Sequence, residues 1–185
     1  MTKGTKKGLA IAGVVGGVGA LLAFLFWPRS AAASEGGGSM SVLEVQAMLR
    51  RVFTGSSIPV WFAFAVAQLE SGFGANPRGD RGRSYGVFHL FWPAQRTTAQ
   101  ALGVTDPETW VRDLESGAVY WRDHVASVFA RLVGATREDT ASWERVRLRL
   151  AGAGGRDGLP DSPSDEARLA RYRPVAAQWR SREGG

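Results

Sequence analysis

The twelve residues Pro59 to Glu70 (PVWFAFAVAQLE) constrain this chain most, because they are apolar on nearly every side. A helix at a protein surface keeps a polar face, so a segment without one must be wrapped by other elements. It predicts a central buried helix, with Pro59 fitting its first turn. The residues beyond the first forty number about 145, enough for one domain with a single core around such a helix.

The surrounding sequence supplies the wrapping as further helices. Ser41-Val42-Leu43-Glu44 is a capping-box pattern opening a helix to about Phe53, with Leu43, Met48, Leu49 and Val52 on its inner side. Ser71 to Tyr85 is rich in glycine, serine and charge and predicts loop or short β structure. A helix over Pro93–Leu102 should end at Gly103. Asp106-Pro107 should start another running to Leu132, with Gly117 as a close-packing point and Gly134 as its stop. Thr140 opens a helix ending before Ala153-Gly154-Gly155, and a last one, near Ser164 to Arg180, should bend at Pro174. The expected fold class is mainly α, a domain over residues 41–185 with a small loop or β element.

Ahead of this domain, Leu9 to Trp27 is an unbroken run of apolar residues and glycine. Nineteen residues in a helix reach roughly 28 Å, close to the hydrocarbon thickness of a bilayer. Lys3, Lys6 and Lys7 precede it and Arg29 alone follows closely. The positive-inside bias then gives a cytoplasmic tail (1–8), a transmembrane anchor (9–28), a flexible small-residue linker (29–40) and a domain on the outer side. A cleaved signal peptide, with Ala31-Ala32-Ala33 as its cleavage site, is the other reading, and either exports the domain. Gly13 and Gly17 form a GxxxG pair, a spacing that so glycine-rich a segment also yields by chance.

The chain has no cysteine, so disulfides and thiolate metal sites are excluded. Its two histidines, His89 and His124, stand far apart without a ligand pattern; no metal and no cofactor is expected. The net charge is +6, and 20 of the 23 basic residues are arginines interleaved with Asp and Glu. That is a solvated mixed-charge surface rather than a nucleic-acid arm, and nucleic acid is not an expected partner.

Glu70 is the residue to single out. It ends the most apolar segment of the domain, where burial and the negative end of the helix dipole both disfavour a carboxylate. A carboxyl group kept protonated near neutral pH can deliver a proton to a glycosidic oxygen.

Ala67-Gln68-Leu69-Glu70-Ser71-Gly72-Phe73, followed by Ser84-Tyr85-Gly86-Val87-Phe88, resembles the lysozyme-like fold of soluble lytic transglycosylases and goose-type lysozymes. Phe91-Trp92-Pro93-Ala94 with Thr97, Thr98, Ala99, Leu102 and Gly103 is similar to the family's next helix. Asp106-Pro107 and Gly117-Ala118-Val119-Tyr120-Trp121 are similar to the one after that. The resemblance spans roughly Ile58 to Trp121 and implies cleavage of the bond between N-acetylmuramic acid and N-acetylglucosamine in peptidoglycan. It implies Glu70 as the catalytic acid and base, with Ser71, Asp80, Ser84, Tyr85, Gly86, Phe88 and His89 as the substrate-binding set. The partners would be glycan strands and, through the N-terminal helix, a membrane. So small an anchored wall enzyme would suit assembly into a phage virion or a secretion machine.

The sequence departs from the family at three points. His89 stands where the family usually has Gln. The family's Ala-Tyr-Asn-Ala-Gly segment falls near Leu150-Ala151-Gly152-Ala153-Gly154, where Tyr and Asn are missing. Tyr172 is the tyrosine that would match the family's late one. Ser71 either orients Glu70 or a substrate group, or meets a free helix-end carbonyl. Asp80 either activates a water, which would make the reaction hydrolytic, or pairs with Arg78, Arg81 or Arg83. Of Tyr85, Phe88, Phe91 and Trp92, one or two should face sugar, whereas Trp61, Trp110, Trp121, Trp143 and Trp179 should pack the core. Two classes of function follow: a glycan-cleaving enzyme, transglycosylase or hydrolase, and a catalytically silent glycan-binding or structural module on the same fold.

Overall fold

The computed structural model describes residues 40–155 and 158–184. The tail, the anchor and the linker read from the sequence lie outside these residues, apart from Met40. Among the described residues no helix is long and apolar enough to cross a membrane. The domain is mainly α, with one small sheet.

The first helix, α1 (Val42–Phe53), opens on the capping box: Ser41 Oγ accepts from the Glu44 amide, and Glu44 Oε2 accepts from the Ser41 amide at 2.7 Å. Its inner face is Val45, Met48, Leu49, Val52 and Phe53, a helical i, i+3, i+4 spacing. Leu43, expected on that face, is instead 76% exposed, because the stripe begins at Val45 and turns it outward.

Helix α2 (Val60–Ser71) follows Pro59, which is extended and precedes the first helical residue. Every residue from Trp61 to Ala67 is buried, as an all-apolar helix requires. Gly72 ends it in the left-handed region at φ 60°, where glycine meets no Cβ penalty. The Phe62 ring lies 4.6 Å from that of Trp143 and 6.2 Å from those of Trp121 and Tyr172, so residues from distant parts of the chain close on one helix. All five tryptophans assigned to packing are buried.

The glycine-rich stretch forms β1 (Arg78–Gly79), β2 (Ser84–Tyr85) and β3 (Leu90–Phe91), an antiparallel sheet in chain order with Arg78 opposite Tyr85 and Ser84 opposite Phe91. Asp80, Arg81 and His89 have positive φ, so the two turns are tight and side chains are aimed by backbone geometry. Helix α3 (Trp92–Ala101) follows directly, with Pro93 in its first turn.

The single helix expected from Asp106 to Leu132 is broken. A four-residue turn, α4 (Thr109–Arg112), stops at Asp113, whose side chain accepts from the Ser116 amide and caps a new helix, α5 (Leu114–Trp121). The break folds Trp110 back over α5, and a Cβ at Gly117 would sit 3.2 Å from the Trp110 Cβ. A π-helical segment (Arg122–Ala126) joins α5 to α6 (Ser127–Val133), which ends at Gly134 with φ 64°. Helix α7 (Thr140–Leu150) is capped by Asp139. The last helix, α8 (Pro163–Glu183), is one element with Pro174 inside it, and it packs along α2 through Trp179, whose Nε1 donates to Gln68 Oε1 at 2.6 Å.

Candidate active site

Glu70 lies in the last turn of α2, with a side chain 26% exposed, on a cleft of about 720 Å³. One wall comes from residues close in sequence: Val66 and Leu69 of α2, then Asp80, Arg83, Phe88, His89 and Phe91 of the sheet region, then Ala94 and Gln95 of α3. Trp121, Val125 and Phe129 form the floor. The other wall comes from the end of α7 and the start of α8: Arg147, Arg149, Leu150, Ala151, Gly152, Arg168 and Arg171.

The carboxyl of Glu70 has two charged or chargeable neighbours. Arg147 Nη2 is 2.7 Å from Oε1, with the arginine side chain 16% exposed. His89 Nδ1 is 3.8 Å from Oε2. The other ring nitrogen of His89 lies 2.8 Å from the Asn76 carbonyl, which can only accept, so Nε2 carries a proton and a neutral ring turns its bare Nδ1 toward Glu70. The left-handed backbone of His89 (φ 46°) holds the ring against Gly79, where a Cβ would fall 2.6 Å from Nδ1. Glu70 is therefore not an acid among apolar neighbours alone. The sequence reading missed Arg147 and Asn76, and neither carries a local signal: Arg147 lies 77 positions away in an arginine-rich helix, and Asn76 contributes only its backbone.

The remaining candidates divide into cleft residues and supports. Ser71 is 1% exposed; its Oγ donates toward the Val87 carbonyl at 2.7 Å and accepts from the Gly74 amide at 2.8 Å. It ties the end of α2 to the sheet region. Ser84 is fully buried and donates to Asp80 Oδ2, so it aims Asp80 rather than facing the cleft itself. Tyr85 turns its hydroxyl to the Gly82 carbonyl at 2.6 Å and lies outside the cleft lining. Gly86, with φ 77°, lets the backbone pass the Trp110 carbonyl, 3.0 Å from where a Cβ would be. In these four, expected as substrate contacts, the polar groups are engaged inside the protein or lie outside the cleft lining.

Asp80, Phe88 and His89 do line the cleft. The carboxylate of Asp80 pairs with none of Arg78, Arg81 and Arg83: Arg78 binds Glu108, and Arg83 reaches only the Asp80 backbone carbonyl. Phe88 stacks on Trp121 with centroids 3.9 Å apart, and Phe91 lies under the Arg83 guanidinium at 5.3 Å. Two of the four aromatics proposed for sugar contact, Phe88 and Phe91, thus border the cleft, while Trp92 packs edge-on against Trp110.

Leu150, Ala151 and Gly152 also border it, where the missing Tyr and Asn would fall. Tyr172 does not; it is buried against Phe62, its hydroxyl finds no hydrogen-bond partner among the described residues, and burial, opposed by the charge of Arg147, holds its proton on well above the ordinary tyrosine range. His124 is driven the other way: burial, against the pull of Asp123, favours the neutral ring.

In comparisons with known proteins, no family model, no curated protein and no solved structure matches this chain.

Proposed function

We propose that this domain cleaves the glycosidic bond between N-acetylmuramic acid and N-acetylglucosamine in peptidoglycan, as a lysozyme-like lytic transglycosylase with Glu70 as its acid and base. The observation that carries the reading is the setting of Glu70: a carboxyl at the end of the central buried helix, opening onto a cleft roomy enough for sugar rings and bordered by Phe88 and Phe91.

The chemistry needs one carboxyl used twice. Glu70 protonates the glycosidic oxygen as the C1–O bond breaks, and the 2-acetamido oxygen of the muramic acid bonds to C1 in place of a protein nucleophile. Glu70, now ionised, takes the proton of the C6 hydroxyl. The C6 oxygen then bonds to C1, the acetamido oxygen leaves, and a 1,6-anhydro ring closes. The proton removed from Glu70 is returned and no water is consumed. Arg147, 2.7 Å from Oε1, and His89, 3.8 Å from Oε2, would position the carboxyl against the scissile bond. An anchor over residues 9–28 would keep the domain at the outer face of a membrane, as in a phage virion or a secretion machine that opens a wall locally.

A second reading has its own observation. Asp80 borders the same cleft, is aimed by Ser84, and is not tied to an arginine through its carboxylate. It would activate a water and turn the outcome to hydrolysis.

Mass spectrometry of the products from purified peptidoglycan separates the readings. Transglycosylation gives anhydro ends lighter by one water than hydrolysed ends, and only hydrolysis should depend on Asp80. Retention on peptidoglycan with no product of either kind would leave a silent binding module.

A further inference from the structure

The cleft is lined by five arginines and only two carboxylates, Glu70 and Asp80. A groove for a neutral sugar polymer needs no such excess of positive charge, and a concave site concentrates the field of the charges along it. The arginines differ in what they do within the protein. Arg147 is committed to Glu70, and Arg83 is held over Phe91 with its Nε on the Asp80 carbonyl. Arg168 and Arg171 are three residues apart on α8, one turn of helix, and both are exposed. Neither has a carboxylate within ion-pair distance among the described residues, although Glu144 and Glu166 are near enough to pair with Arg173 on the same helix.

Resting on the reading above, we infer that Arg168 and Arg171 form an anion subsite of the cleft that takes the free carboxylates of a glycan strand. Planar guanidinium forks match carboxylates in paired, bidentate contacts, and two of them one turn apart present a row of donors along the groove. The substrate class is therefore an acidic glycan, a polymer whose sugars carry carboxylates directly or on short peptides, rather than a neutral one of the chitin kind. In peptidoglycan that chemistry has two sources, the peptide stems and the lactyl groups left bare when stems are removed.

The test is co-sedimentation of the full chain with intact peptidoglycan, with peptidoglycan stripped of stems by an amidase, and with chitin. The proteins are wild type, Arg168→Gln/Arg171→Gln and Arg168→Lys/Arg171→Lys, at low and high salt. Both arginines are exposed, so circular dichroism and melting should show all three folded alike. The glutamine pair should bind intact peptidoglycan about tenfold more weakly than wild type, and the lysine pair should fall between. Salt should weaken wild type most, and binding to chitin should be the same for all. Loss on intact peptidoglycan alone assigns the subsite to stem carboxylates, loss on the stripped form alone assigns it to lactyl carboxylates, and loss on both means that it takes either. Equal binding of wild type and the glutamine pair to both acidic forms overturns the subsite. Because co-sedimentation reads retention and not product, an absence of products in wild type would sink the cleavage reading while leaving this result standing.

Discussion

The two walls of the cleft are built in opposite ways. The first is nearly continuous in sequence, Val66 to Gln95: a buried apolar helix, a glycine-rich turn region and a short sheet, carrying Glu70, Asp80 and His89. The second comes from the end of α7 and the start of α8, more than fifty residues later, and presents arginine. The first wall holds the groups that would react; the second supplies charge that steadies one of them and faces whatever enters. Local order suits chemistry, because a carboxyl and an imidazole must be held within tenths of an ångström. A charge that acts through several ångströms tolerates being brought from afar.

The contrast predicts different losses when each wall is altered. Glu70→Gln should reduce turnover of peptidoglycan by about 10²–10⁴-fold, the usual worth of a general acid, with little change in melting temperature. Undiminished anhydro product from this variant would move the chemistry off the first wall altogether. Arg147→Met should cost less, about tenfold, and mainly in kcat, because it removes a group that positions Glu70 and leaves the cleft open. Arg147→Lys should recover part of that loss. A fall confined to KM would make Arg147 a substrate contact like its neighbours on α8.

The same contrast decides what could be read from sequence. Continuous patterns spoke clearly: the capping box at Ser41, the all-apolar α2 and the glycine-rich loop or short β stretch after it. That the end of α2 would bring a carboxyl to a cleft was legible because a buried helix must surface somewhere, and Glu70 is the first charged residue at its exit. Two things were not. The break at Asp113 was masked because its flanks are good helix, and only the cap to Ser116 shows that a new helix starts there. The second wall was invisible because Arg147, Arg168 and Arg171 sit in an arginine-rich tail where nothing marks them from solvated neighbours. Long-range pairing, not residue type, gives them their place.

Both walls are held by a buried side chain that gathers backbone polar groups, and this sharpens the comparison further. On the first wall it is Ser71, neutral at every accessible pH. Ser71→Ala strands the Val87 carbonyl and the Gly74 amide in the interior and should destabilise the fold by about 1–3 kcal/mol in urea unfolding. Activity per folded molecule should survive, since the hydroxyl does not face the cleft. Loss of turnover without loss of stability would return Ser71 to the substrate set.

On the second wall the gathering group is Asp165, at 3% exposure, whose Oδ2 accepts from the Gly154 amide at 3.1 Å and the Asp161 amide at 3.3 Å, closing the connection between α7 and α8. Burial alone would raise its proton affinity. The Asp161 amide and side chain, the Gly154 amide and the Ser162 hydroxyl outweigh burial and hold its carboxyl below the ordinary carboxylate range. A carboxyl lowered on folding stabilises the fold above its unfolded value, about pH 4, and loses that contribution as pH falls through the folded value. Acid should therefore loosen the second wall first. Hydrogen exchange followed from pH 6 down to pH 3 should show protection of the Gly154 and Asp161 amides falling below about pH 4, while the Gly74 amide on Ser71 keeps its protection. In Asp165→Asn these two amides should be less protected at pH 6 and no longer sensitive to acid, because the group that titrates is gone. An unchanged acid profile in that variant would mean that the walls do not differ in this way, and that some other carboxylate governs how the cleft opens.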